Sequence, residues 1–186
     1  QRVGRSRRDA KSFDDLPVLI ITTPAPAAIE LGESIVRAEM GDSSRLDIEL
    51  SHCSSLSAGD VDNDARLAIR GSGNARIGEV GGALQAALSG SGALTARDIG
   101  ETAELAVSGS GDVELGDVGS DMEIGISGSG HVRAGHVASL DASVSGSRNV
   151  EIGNAPSGVH YPASGSRHLS VGATSDVPVR SSGSSN

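Results

Sequence analysis

Aromatic side chains are almost missing from this sequence: Phe13 and Tyr161 are the only two among 186 residues, and tryptophan does not occur. That scarcity excludes a core centred on ring packing. It also argues against a base-stacking surface for nucleic acid and an aromatic platform for sugars. Cysteine is equally scarce, with Cys53 alone, so no disulfide can close within the chain and cysteine does not fix the compartment. Lysine is reduced to Lys11 while every other basic residue is arginine, a bias toward planar, multidentate contacts. No run approaches the roughly 18 apolar residues that a membrane-spanning helix requires, so no transmembrane segment is expected. The net charge of −9 sets the chain as a whole against nucleic acid as a partner.

The charge is unevenly placed. Residues 1–11 hold Arg2, Arg5, Arg7, Arg8 and Lys11 against Asp9, a net +4 that leaves −13 for the remainder. A basic arm precedes an acidic body. The chain begins with Gln1, which leads to the expectation of a trimmed signal peptide and a secreted protein.

What is abundant is a repeat. Gly-Ser-Gly begins at Gly71, Gly90, Gly109 and Gly128, each 19 residues after the last; Gly-Ser-Arg follows at Gly146 and Gly165. Counting each unit from that first glycine, the fifth column reads Leu56, Ala75, Leu94, Val113, Val132, Val150, Leu169, and the seventh Ala58, Ile77, Ala96, Leu115, Ala134, Ile152, Val171. Two apolar columns separated by a polar one have the period of a strand, so Asp112 should point outward beside inward Val113. The eighth column is glycine except for Arg97, and a tight turn is expected there. The tenth column (Val61, Val80, Ile99, Val118, Val137) turns inward again, and a second strand follows, with apolar pairs such as Leu67/Ile69 and Leu105/Val107.

Two short strands with glycine-rich corners cannot bury an apolar face alone, but coiled on their neighbours they can. The fold expected is all-β: a single-stranded parallel β-helix, a right-handed β-solenoid of about eight rungs of 18–19 residues. Residues 1–32 would form the basic arm and a first strand or cap, 33–183 the solenoid repeats, and 184–186 a tail. A narrow stack explains the missing aromatics, because a large ring would press on the rung above.

The tandem units "VSGSGDVELGDV" and "ISGSGHVRAGHV" and the opening "FDDLPVLIITTPAPAAIELGESIVRAEMGD" resemble the bacterial head GIN domain family of autotransporter adhesins, over about residues 12–183. The resemblance implies a β-solenoid at the cell surface or outside the cell, and brings no catalytic residues with it. The Arg-rich arm and the proline-rich stretch at 22–27 depart from the family pattern.

Several columns carry chemistry. The ninth holds Asp60, Glu79, Asp98 and Asp117 in consecutive rungs, which suits a stripe for hard cations. The favoured expectation is that these side chains cap the turn after the glycine column, with no metal and no cofactor bound. Glu114, Arg133 and Glu151 in the sixth column suggest a surface charge ladder. The five histidines lack zinc spacing, and Cys53, in the second column with Ser72 and Ser91, is expected to be buried and inert. The corners leave no long loops for a catalytic groove, so an enzyme is not expected. The function expected is a secreted structural solenoid that binds itself head to tail, forming filaments through Arg2, Arg5, Arg7, Arg8, Lys11, Val18 and Ile20. The alternative is an adhesin or a module binding surface polysaccharide.

Overall fold

The computed structural model describes residues 18–21, 27–31, 37–164, 167–173 and 180–182. Its strands, in chain order, are β1 (Val18–Ile21), β2 (Ala27–Leu31), β3 (Arg37–Met40), β4 (Leu46–His52), β5 (Ser55–Ser57), β6 (Ala65–Gly71), β7 (Asn74–Ile77) and β8 (Leu84–Gly90). They continue as β9 (Ala93–Ala96), β10 (Ala103–Gly109), β11 (Asp112–Leu115), β12 (Met122–His136), β13 (Ser139–Asn154), β14 (Gly158–Ser164), β15 (Arg167–Ala173) and β16 (Arg180–Ser182). No helix occurs among the described residues.

Every pairing is parallel and joins one rung to the next. Along one side, β4, β6, β8 and β10 stack in register, Leu46 beside Ala65, Leu84 and Ala103. Along another, β5, β7, β9 and β11 do the same. The long strands β12 and β13 run round the Gly-Ser corner and serve both sides. The chain is a β-solenoid, as the repeat implies.

A third side completes the coil. Single parallel bridges link Ser43, Val61, Val80, Ile99 and Val118, the tenth column, in a line one residue wide. The sequence shows these residues pointing inward; the structure adds that they are hydrogen-bonded from rung to rung. The coil is therefore lined on three sides, and its interior is a continuous column of aliphatic side chains. Leu46, Leu84, Leu105 and Leu94 are buried, as are Val113 and Val118. Tyr161 is the exception to the ban on rings. It is buried, and the register Asp141–His160 places it in line with Ala142, whose small side chain leaves the ring room.

The tight backbone lies elsewhere than the glycine-rich eighth column suggests. The left-handed conformation falls in the first column, with φ of 101° at Gly71, 122° at Gly90, 106° at Gly109 and 123° at Gly128. His52 occupies the same place in its rung with φ 61° and is a non-glycine residue there. The first strand expected upstream is β1, with Val18 and Ile20 facing Arg37 and Glu39 across the ladder. β2 joins it by pairing with β4, so regular coiling starts before residue 33. Arg2, Arg5, Arg7, Arg8 and Lys11 lie outside the described residues.

Candidate functional site

The ninth column carries carboxylates in five consecutive rungs, Asp42, Asp60, Glu79, Asp98 and Asp117, and their arrangement explains the glycines beside them. Asp60 Oδ1 accepts from the backbone N–H of Glu79 at 2.8 Å, one rung on. Asp98 Oδ1 accepts from Asp117 N–H at 2.9 Å, and Asp117 Oδ1 from His136 N–H at 2.7 Å. Asp42 begins the series by accepting from Asp60 N–H at 3.0 Å. Each aspartate therefore satisfies a corner donor of the following rung. The same Oδ1 fills the space that a Cβ would need on Gly59, Gly78, Gly116 or Gly135. The eighth column is glycine for close approach, not for backbone sign.

The exception proves informative. Glu79 carries one methylene more than its neighbours in the column, and the eighth position of the next rung is Arg97. Comparing the ninth column of one rung with the eighth of the next would have exposed this coupling in the sequence. As for cations, no three His, Cys, Asp or Glu side chains among the described residues gather as a ligand set. Asp60, Asp98 and Asp117 are committed through one oxygen to the backbone.

Other outward columns carry paired charge. In the sixth, Arg133 Nε donates to Glu151 Oε2 at 2.8 Å, with Glu114 in register on the other side. The Glu151 hydrogen bond, with the Glu151 charge behind it, raises the Arg133 pKa further. In the fourth, Asp112 Oδ1 accepts from His131 N–H at 2.8 Å, so Asp112 points outward as expected yet carries a structural bond. At the third corner Arg45 Nη2 meets Asp64 Oδ2 at 2.6 Å. That bond and the Ala83 N–H hold the Asp64 carboxyl below its ordinary pKa. Arg45, Asp62, Asn63 and Glu101 border an open polar depression there.

Cys53 corrects an expectation: it is exposed, not buried. The serines of its column, Ser72, Ser91 and Ser110, are exposed too, and their backbone N–H groups donate to His52, Gly71 and Gly90 carbonyls. His52 Nδ1 lies 3.2 Å from Ser51 Oγ on the exposed corner, where water competes for both groups. His131 and His168 share a column with Asn149 between them.

On the broad side, alternation points one face outward. Arg66 donates through Nη2 to Gln85 Oε1 at 2.7 Å, and Gln85 Nε2 donates to Glu104 Oε2 at 3.2 Å, forming a ladder along the rod. Arg70 pairs with Glu49 on the same face. Glu49 heads the next column, which continues as Ala68, Ala87 and Ala106, and these alanines line a shallow apolar depression. The arrangement offers flat, repetitive, mostly acidic surfaces, suited to contact with another macromolecule more than to enclosing a small substrate.

A family model described as "Putative auto-transporter adhesin, head GIN domain" matches residues 5–156. The match takes in part of the basic arm and stops short of β14, which continues the same parallel stacking. No curated protein and no solved structure matches the chain.

Proposed function

This chain belongs to the head GIN domain family, and from that membership we propose that it acts as a non-catalytic rod at the bacterial cell surface or outside the cell, joining copies of itself end to end. One observation carries the proposal: among the described residues, the first and last rungs each keep an outer edge that no other strand pairs. β1 and β2 pair only toward β3 and β4, and β15 and β16 only toward β13 and β14, among the described residues. All strands on a given side run the same way, so the outer edge of β15 matches what the outer edge of β1 would accept. A contact of that kind is heterologous and does not close, which makes a fibre. The +4 arm against a −13 body adds attraction between copies.

Electron microscopy of the purified full chain tests this. Fibres of single-rod width are expected, shortened by deletion of residues 1–11 and weakened by high salt. Leu19→Pro, which removes a donor from β1, should also shorten them while circular dichroism shows the coil still folded. Monodisperse monomers at high concentration would overturn the proposal. The second reading, an adhesin or a binder of surface polysaccharide, is favoured by the family's name. Retention of the chain on polysaccharide-coated beads in the absence of fibres would select it.

A further inference from the structure

We infer that the joint between copies has a single register: β15 and β16 of one copy pair with β1 and β2 of the next, and the fibre is one uninterrupted coil. This inference rests on the end-to-end reading above and fixes the geometry of its contact.

The strands at the two ends fit in phase. Among the described residues, one side of the rod stacks β1, β3, β5, β7, β9, β11, β12, β13 and β15, nine strands. The broad side stacks β2, β4, β6, β8, β10, β12, β13, β14 and β16, also nine. The first described coil therefore opens on the β1 side and the last closes on the broad side. The next copy takes up the path where the preceding one leaves it, with no strand missing and none doubled.

The backbone groups at the two edges match as well. Within the rod, outward residues turn their N–H to the preceding rung and inward residues to the following one. Asn74 and Ala93 donate back to the Ser54 and Gly73 carbonyls, whereas Ala58 donates forward to Arg76. The same alternation leaves the Val18 and Ile20 N–H groups facing the open edge of β1, and those of Leu169 and Val171 facing the open edge of β15. Continuing each column sets Val18 beside His168 and Ile20 beside Ser170. Val18 and Ile20 then donate to the Arg167 and Leu169 carbonyls, and Leu169 and Val171 to the Val18 and Ile20 carbonyls. Each edge supplies what the other lacks.

The side-chain columns select this register. Leu169 and Val171 continue into Leu19 and Ile21, which head the columns of Ala38 and Met40. A slip of one residue would place Ser170 in line with Leu19 or Ile21 and carry an outward column over the core. Across the joint no like charges share a position: His168 meets Val18, Ser170 meets Ile20, Arg180 meets Ala28 and Ser182 meets Glu30.

Cys53, the chain's one cysteine, is exposed on the flank of the rod and supplies a label. Maleimide nanogold on Cys53 of the full chain, imaged on fibres by electron cryomicroscopy, should recur at a uniform interval of about 43 Å, the height of nine coils. In a Cys53→Ser background, Ser170→Cys with Ile20→Cys should give covalent ladders on oxidation. Ser170→Cys with Leu19→Cys should cross-link about tenfold less, because the slip turns one thiol to the core. The label interval needs no substitution, so it decides the register even where a paired variant fails to fold. A different uniform interval, such as the ~48 Å that one intervening turn would give, or equal cross-linking by the two pairs, would overturn this joint and leave end-to-end joining standing. Alternating short and long intervals, or monodisperse monomers, would overturn both.

Discussion

Asp98 Oδ1 occupies the space that a Cβ on Gly116 would need, and from there accepts the N–H of Asp117 at 2.9 Å. Gly116→Ala should therefore cost about 2–4 kcal/mol, as expected for overpacking against a fixed polar group. Asp98→Ala should cost about 1 kcal/mol by leaving a corner donor without its acceptor. With Asp98→Ala present, Gly116→Ala should cost less than it does alone. A double-mutant cycle in denaturant measures the difference, and strictly additive values would separate the two residues.

Glu79 and Arg97 make the reverse case. Shortening the acid with Glu79→Asp should bring a carboxylate against the Arg97 Cβ and destabilise the rod. Adding Arg97→Gly should recover the loss by recreating the pairing of Asp60 with Gly78. Thermal melts of the three variants decide it.

Ser43 stands in the third-side column that is otherwise Val61, Val80, Ile99 and Val118. It is 4% exposed, and its hydroxyl has no hydrogen-bond partner among the described residues. Ser43→Val should stabilise the protein by about 1–2 kcal/mol, read as a shift in denaturation midpoint at constant slope.

Val113, 2% exposed, cannot take a charge. Val113→Asp should cost more than about 3 kcal/mol and give aggregated or unfolded protein. Asp112→Ala, next to it, should lose only about 1 kcal/mol through the released His131 N–H. Equal melting temperatures for the two would reverse the strand's facing.

Asp64 sets an acid limb on stability. Its folded-state pKa is lowered by the Arg45 hydrogen bond and by the Ala83 N–H, so its contribution is present above the unfolded value, about 3.9, and fades as pH falls through the folded value. Asp64→Asn should be less stable than the parent at pH 6, and the gap should narrow on acidification below pH ~4. Melting curves across that range test the sign.

Most of the architecture was legible because one period runs through the chain. Leu94 and Val113, or Leu105 and Ile124, recur at fixed spacing, and a solenoid turns that spacing directly into neighbours. The bonded third side was harder to see, because a line of single residues such as Val80 and Ile99 has no period of its own. The role of the glycines is ambiguous in the sequence for a related reason. A glycine needed for positive φ, such as Gly90, and one needed for a neighbour's carboxylate, such as Gly116, look identical within a single repeat. Only a comparison between successive repeats separates them. Exposure of Cys53 is hidden likewise, since a thiol in a column of small residues suits burial as well as it suits a corner that faces water.

The aspartate ladder has a direction. Asp42, Asp60, Asp98 and Asp117 each offer an acceptor to the coil that follows in sequence. A chain that emerges from the ribosome amino end first thus carries, on its last finished coil, the acceptor for the first amide of the next corner. Growth can proceed as a ratchet, each turn latching onto a surface already complete, without waiting for residues not yet made.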